Sequence, residues 1–136
     1  MDSLLNQTFA ANAAALSELR RAVRAACQRA GCGEEDSARI VLAINEACMN
    51  IIQHGYRFAD GQSFTLRLAV DDDVLFAQLL DNGLPVTDAD LCPRELTELR
   101  PGGLGVRFMR ELLDDVAYQP APEGFTNCLQ LTKRIC

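Results

Sequence analysis

Residues 38–56 (ARIVLAINEACMNIIQHGY) constrain the fold of this chain more than any other segment. From residue 40 to residue 52 the segment is apolar almost all the way round, which in a helix indicates burial on most sides. It nevertheless carries Glu46, Asn50 and His54, which are spaced four residues apart and so lie on one stripe of a helix. Because an ionised carboxylate inside an apolar helix is costly without a polar partner, we expect the stripe to meet protein, water, or a ligand with a metal ion. The alternative is a solvent-facing stripe on an ordinary amphipathic helix.

Length and composition set the class of protein. The 136 residues fit one domain, residues 1–136, and 49% apolar with 24% charged residues excludes wholesale disorder. The first residues lack the basic and apolar regions of a signal peptide, and no run reaches membrane-spanning length, so we expect a cytoplasmic protein without a membrane partner. The net charge of −6 argues against direct nucleic-acid binding and is compatible with a basic protein surface as partner.

The cysteines are scattered and form no CxxC pair, and the chain has a single histidine. A zinc site is therefore not expected. Cys27 and Cys48 fall inside apolar helical patterns, so we interpret them as small core residues in a reducing compartment, with redox chemistry as a minor hypothesis. The six cysteines are Cys27, Cys32, Cys48, Cys92, Cys128 and Cys136.

The other elements follow from hydrophobic period and turn residues. In chain order they are a short edge strand (3–10), a helix (12–30), the central helix up to about residue 54, a hairpin (63–70 and 74–80), a helix (106–114) and two final strands (116–119 and 125–135). Residues 84–101 contain three prolines and show no clean hydrophobic period. Within them we expect a short helix around residues 90–99. A loop of this length is usually a functional lid or disordered.

A glycine cluster, Gly102-Gly103-Leu104-Gly105, opens the helix at 106. Glycines at a helix start let backbone N–H groups approach an anion, where the helix dipole adds attraction. Phosphate is the natural ligand of such a cluster. The alternative is a plain flexible loop that enters a helix.

Three motifs stand in a fixed order: Glu46-xxx-Asn50-xxx-His54 on a helix, Asp81-x-Gly83 at a strand end, and the glycine cluster after the loop. Over residues 8–133 this order resembles the GHKL ATPase family, and within it the anti-sigma-factor serine kinases of the RsbW and SpoIIAB type. The resemblance implies the Bergerat ATP-binding fold. That fold is an α/β (α+β) two-layer sandwich with a mixed, mainly antiparallel sheet and three helices on one face.

The resemblance also implies roles for the helix stripe. Asn50 would ligate Mg²⁺ through its amide oxygen, which suits a hard cation. Glu46, one turn earlier, would be the general base that takes the proton of an attacking hydroxyl. His54 stands where the family places a polar or basic residue near the phosphates.

The other motifs would bind the nucleotide. By the same resemblance, Asp81 would accept a hydrogen bond from the adenine amino group, Gly83 would let the backbone pass close to the base, and Thr126 would complete the adenine pocket. The residues lining the phosphates would be Gly103, Leu104 and Gly105. Pro85 stands where the family often has a second glycine, a variation typical of the sigma-regulator branch.

The implied function is an ATP- and Mg²⁺-dependent protein serine/threonine kinase. It would act as an anti-sigma factor in a partner-switching system and phosphorylate a STAS-type anti-anti-sigma protein; a sigma factor and a homodimer are further partners left open. One alternative is a non-catalytic ATP/ADP-gated protein-binding module of the same fold. Another is the ATP-binding part of a larger system. Glu46 favours the kinase, since a pure binder needs no base.

Overall fold

The computed structural model describes residues 2–86 and 109–135. Its elements are β1 (Asp2–Ala10), a 3₁₀ turn (Ala13–Ala15), α1 (Leu16–Arg29), α2 (Glu34–Asn50), a π-helical turn (Ile51–Gly55), β2 (Ser63–Asp71), β3 (Val74–Asp81), β4 (Asp115–Gln119) and β5 (Asn127–Arg134). Residues 109–112 are helical and belong to the helix predicted from residue 106. The helix predicted around 90–99 and most of the predicted lid lie outside the described residues.

The five strands form one sheet with the order β1-β2-β3-β5-β4. All four pairings between these strands are antiparallel. The β2–β3 hairpin turns at Asp72, which has a positive φ of 55°. As predicted, β1 is an edge strand and the hairpin lies inside the sheet. The two-layer fold with a mainly antiparallel sheet is confirmed.

The helices pack on one face of this sheet. Their buried side chains and the inward-facing side chains of the strands form one hydrophobic cluster. Side chains return to the same face every three to four residues in a helix and every second residue in a strand, so each element turns one apolar face toward the other layer. Representative members of the cluster are Leu19, Val23, Ile40, Ile44, Leu66, Leu79, Met109 and Leu129. None of the helices in the described ranges combines the length and apolar character that crossing a bilayer requires.

The corner between α1 and α2 is a Schellman turn. Gly31 has a left-handed φ of 78°, which a residue without Cβ adopts at little cost. Its N–H donates to the Gln28 carbonyl at 3.1 Å, and the Cys32 N–H donates to the Cys27 carbonyl at 3.0 Å. The glycine stop predicted for this helix is therefore confirmed, together with the acidic first turn of α2, residues 34–36.

The central helix is buried on most sides but not on all. Eight of its thirteen residues from 40 to 52 are buried. The side turned away from the sheet holds Leu42, which is 42% exposed, and the half-buried Glu46 and Asn50. The polar stripe thus lies along the open side of the helix, where a carboxylate keeps contact with solvent.

Candidate functional site

The helix α2 places Glu46 and Asn50 one turn apart on the same side. Both side chains are half-buried, and both lie inside the α-helical span Glu34–Asn50. Residues four apart in an α-helix stand one above the other, so the carboxylate and the amide face the same region. This part of the predicted stripe is present as expected.

The stripe changes at Asn50, because the backbone becomes π-helical from Ile51 to Gly55. The Tyr56 N–H donates to the Ile51 carbonyl five residues earlier, at 2.8 Å. His54 therefore does not continue the α-helical spacing from Asn50, and its side chain is exposed. Single π-turns inside helices are frequent at functional sites.

Asp81, at the end of β3, is a buried carboxylate with 4% of its surface exposed. Its Oδ1 accepts a hydrogen bond from the Gly83 N–H at 2.8 Å and another from Asn127 Nδ2 at 3.0 Å. Burial raises the pKa of Asp81, and these two hydrogen bonds partly offset that rise. Among the described residues both bonds go to Oδ1, so Oδ2 is the oxygen that can receive a donor from a ligand.

The end of the helix is fastened against the loop that follows Asp81. The Leu84 N–H donates to the Gly55 carbonyl at 3.0 Å. A Cβ on Gly83 would lie 2.7 Å from the Gly55 carbonyl carbon, a distance that real Cβ atoms do not show. Residue 83 is therefore glycine because two backbones meet there, which is a second reason beside the approach to adenine that the resemblance implies.

Tyr56 makes a further connection that the sequence did not indicate. Its hydroxyl donates to the Ser63 carbonyl and accepts from the Asn82 N–H, both at 2.7 Å. Burial raises the pKa of this phenol, the hydrogen bond from Asn82 lowers it, and the charge of Asp81 raises it. The phenol thus holds the start of β2 and the residue after Asp81 to the end of the π-turn.

Asn127 is the side chain that the sequence missed beside Asp81. It lies opposite Asp81 in the β3–β5 register and is 4% exposed. Its Nδ2 also donates to the Leu84 carbonyl at 2.9 Å, and its Oδ1 accepts from the Val86 N–H at 3.0 Å. A polar residue at an inward position of β5 was the available signal, but it needs the strand register to be recognised.

Thr126, proposed from the sequence for this place, is next to Asp81 through its main chain. Its N–H donates to the Asp81 carbonyl at 3.0 Å and to Asn82 Oδ1 at 2.9 Å. Its side chain is exposed, and the hydroxyl is 3.4 Å from Asn82 Oδ1. The structure therefore brings Asn127, and not the Thr126 side chain, onto the Asp81 carboxylate.

Among the described residues, one side chain fits the metal that accompanies a nucleotide. One amide oxygen, that of Asn50, suits an ion that takes its other ligands from phosphates and water. Gly55, where the loop after Asp81 meets the end of the helix, lies nine positions after Glu46. The proposed phosphate residues Gly103, Leu104 and Gly105 lie outside the described residues.

Two curated relatives are similar to this chain over about three quarters of its length. An anti-sigma F factor from Bacillus subtilis (strain 168) is 29% identical over 105 residues, which cover 74% of this chain and 71% of that protein. A serine-protein kinase RsbW from Bacillus pumilus (strain SAFR-032) is 30% identical over 118 residues, covering 79% of this chain and 72% of that protein.

Solved structures share the fold. The RsbU and RsbW domains of a Mycobacterium tuberculosis protein match with a TM-score of 0.69 and 22% identity, over 96% of this chain but only 32% of that chain. The SiaB-SiaC complex from Pseudomonas aeruginosa matches with a TM-score of 0.61 and 17% identity, over 98% of this chain and 91% of that chain. A family model described as the histidine kinase-like ATPase domain matches residues 9–133. The chain therefore belongs to the family of histidine kinase-like ATPase domains.

Proposed function

We propose that this chain is a cytoplasmic, ATP-dependent protein serine/threonine kinase that acts as an anti-sigma factor in partner switching. Its substrate is a STAS-type anti-anti-sigma protein, and a sigma factor is its second partner. The similarity to an anti-sigma F factor and to a serine-protein kinase supports both halves of this proposal. The structural observation that carries it is the single helix that bears Glu46 and Asn50 and ends, through the π-turn, against the loop after Asp81.

At the adenine end, Asp81 accepts a hydrogen bond from an exocyclic amine through Oδ2. The Gly83 N–H and the Asn127 amide hold Oδ1, so the carboxylate has one orientation before ligand arrives. A preorganised acceptor of this kind selects adenine, whose exocyclic group donates, over guanine, whose group at the same position accepts. Thr126 contributes through its main chain on the outer side of the loop.

At the phosphate end, Asn50 is the proposed metal ligand and Glu46 is the proposed general base. Bound ATP supplies the phosphoryl group, and Mg²⁺ neutralises its charge. The Asn50 amide oxygen would hold the ion, while the Glu46 carboxylate accepts the proton of the attacking serine or threonine hydroxyl. His54 and the residues Gly103, Leu104 and Gly105 complete the phosphate site in this proposal.

One observation also supports the second candidate function, an ATP/ADP-gated protein-binding module. Glu46 is half-buried rather than buried, so its charge retains solvent and needs no catalytic reason to be there. The kinase is still favoured, because the carboxylate stands one turn from the proposed metal ligand on the same side of α2.

The test compares Glu46→Gln with Asn50→Ala. If Glu46 is the base, Glu46→Gln keeps ATP affinity and loses phosphoryl transfer by roughly 10²- to 10⁴-fold. Asn50→Ala loses Mg²⁺-dependent ATP binding and transfer together. Calorimetry measures the first quantity, and transfer of labelled phosphate to a STAS-type partner recovered by pull-down measures the second.

The matched control is Glu34→Gln, which makes the same change at an exposed position in the first turn of α2. It should leave both quantities unchanged. If the wild type binds ATP tightly but transfers no phosphate to a partner that it captures, the kinase proposal is wrong and the nucleotide-gated module takes its place.

A further inference from the structure

Two thiols meet at the C-terminal end of α1. In the Schellman turn, Cys27 provides the carbonyl and Cys32 the N–H of the outer hydrogen bond, at 3.0 Å. Side chains at these two positions of the motif frequently contact each other. The bonds on either side add about 4 Å to this N···O distance, so the two Cα atoms are less than about 7 Å apart. Cysteines whose Cα atoms are more than about 7 Å apart cannot be bridged without backbone movement, so the backbone spacing here permits a bridge.

The two thiols differ in access to solvent. Cys27 is fully buried, whereas Cys32 is partly exposed and packs against the same core cluster. Both are free thiols in this structure. Cys32 can therefore meet a small reagent from solvent, and Cys27 can be reached only from inside the turn.

A buried hydroxyl group, that of Ser37, lies beside Cys27. The Ser37 hydroxyl is 3% exposed and has no hydrogen-bond partner of good geometry among the described residues. Burial and Cys32 raise the pKa of Cys27 to about 12, while the Ser37 hydroxyl and the charge of Arg24 lower it. No such offset acts on Cys48, whose pKa is raised by burial alone.

We propose that Cys27 and Cys32 form a reversible disulfide when the protein meets a hydroperoxide. With hydrogen peroxide, the Cys32 thiol loses its proton and the thiolate attacks a peroxide oxygen, so that an S–O bond forms, the O–O bond breaks and the displaced hydroxide takes up a proton and leaves as water. The Cys27 sulfur then attacks the Cys32 sulfur. The S–S bond forms, the S–O bond breaks, and the Cys27 proton leaves with the hydroxyl group as a second water. The two thiols lose two electrons, which the peroxide gains.

The pair is selective because the other described cysteines lie elsewhere. Cys48 is on α2 and fully buried. Cys128 lies opposite Leu80 in the β3–β5 register. The neighbouring pair, Leu79 and Leu129, faces the helices. Because successive side chains of a strand point to opposite faces, Cys128 lies on the sheet face away from the helices. The bridge would close a six-residue ring around the Gly31 turn and prevent the end of α1 from fraying.

Peptide mapping after treatment of the reduced chain with hydrogen peroxide tests the proposal. Trypsin cleaves after Arg24, Arg29 and Arg39, so the two cysteines fall in separate peptides, residues 25–29 and 30–39. The wild type should give these two peptides joined, with the loss of two hydrogen atoms, and dithiothreitol should separate them. Cys48→Ser is the matched control and should give the same joined product.

Two variants separate the steps. Cys32→Ser should abolish the joined product. Cys27→Ala should leave Cys32 as a sulfenic acid that dimedone labels, because the second thiol is missing. The proposal is overturned if peroxide-treated wild type lacks the joined peptides, if Cys32 pairs mainly with another cysteine, or if dimedone labels Cys32 equally in wild type and Cys27→Ala.

Discussion

Asp81 and Asn127 show how one buried charge is kept in a single orientation. The carboxylate receives the Gly83 N–H and the Asn127 amide on the same oxygen. The same amide group also binds the backbone at Leu84 and Val86. The orientation of the carboxylate is thus coupled to the path of the chain that leaves β3.

The pH dependence of stability should report on Asp81 directly. Its pKa is raised in the folded protein, so the fold binds this proton more tightly than the unfolded chain does. Stability from this group is therefore greatest in acid and falls as the pH rises from the unfolded pKa through the folded one. Asp81→Asn removes that dependence while its amide oxygen still accepts both hydrogen bonds.

Urea unfolding of both proteins between pH 4 and pH 7.5, without nucleotide, measures the difference. The variant should gain on the wild type as the pH rises, by about 1.4 kcal/mol for each unit of pKa elevation. A difference that stays constant over this range would show that burial does not raise the pKa of Asp81 in the folded protein.

The pair Asn127→Leu and Thr126→Val decides whether the first residue of β5 or the residue before that strand supports Asp81. Asn127→Leu leaves the Leu84 carbonyl and the Val86 N–H without their partner, so we expect a loss of roughly 2–4 kcal/mol and weaker ATP binding. Thr126→Val changes an exposed side chain and keeps the main-chain bonds, so its effect should stay within about 0.5 kcal/mol. Chemical denaturation and calorimetry measure both. Equal loss of ATP affinity in the two variants would restore the side-chain role of Thr126.

The sequence could indicate Asp81 because a carboxylate two residues before a glycine at a strand end is a recognisable pattern. It could not indicate Asn127, because the role of that amide depends on which residue of β5 stands opposite Asp81. A shift of one position would turn Asn127 outward and Thr126 inward. That register is settled by packing across the whole sheet.

Among the elements, the π-turn is the feature that joins the two ends of the candidate site. It carries the chain from Asn50 to Gly55, where the backbone meets Gly83 and Leu84. The hairpin, the edge strand and both long helices could be predicted from period and turn residues. The π-turn could not be predicted, because the spacing of the polar residues in the sequence is the same whether a backbone N–H donates to the carbonyl four or five residues earlier.

Gly83→Ala and Gly61→Ala separate a steric contact from a strained backbone. A Cβ at residue 83 would meet the Gly55 backbone at 2.7 Å, whereas residue 61 has a positive φ of 74° and open space around it. Both variants should lose stability, Gly83→Ala by about 1–3 kcal/mol through overpacking. Only Gly83→Ala should weaken ATP binding in calorimetry, because it pushes the helix end away from the Asp81 loop. Unchanged affinity in Gly83→Ala would mean that this contact is structural alone.

At the scale of the molecule, the sheet order β1-β2-β3-β5-β4 places the last strand beside the third. Local patterns predict each strand but not this neighbour relation, because β3 and β5 are separated by the glycine-rich region and β4. The family resemblance predicted a mainly antiparallel sheet, and the structure adds the order of its strands.

Ligand binding should stabilise the whole fold in a base-specific way. A ligand at 100 times its dissociation constant adds about 2.7 kcal/mol to the free energy of unfolding, if it binds only the folded state. ATP with Mg²⁺ should therefore raise the thermal midpoint by several degrees, and GTP with Mg²⁺ should have little effect. Asp81→Asn, compared at the same nucleotide concentration, should reduce the shift with ATP. Equal shifts with ATP and GTP would argue against recognition of adenine by Asp81.

The hydrogen bond between Asp81 and Asn127 spans 46 residues of chain. At a synthesis rate of 5–20 residues per second, the carboxylate emerges from the ribosome about 2–9 s before the amide that orients it. During that interval β3 is an edge strand with unpaired backbone groups, which is the state in which sheets recruit foreign strands. Completion of the candidate site therefore waits until β5 has docked, and the same event covers the open edge of β3.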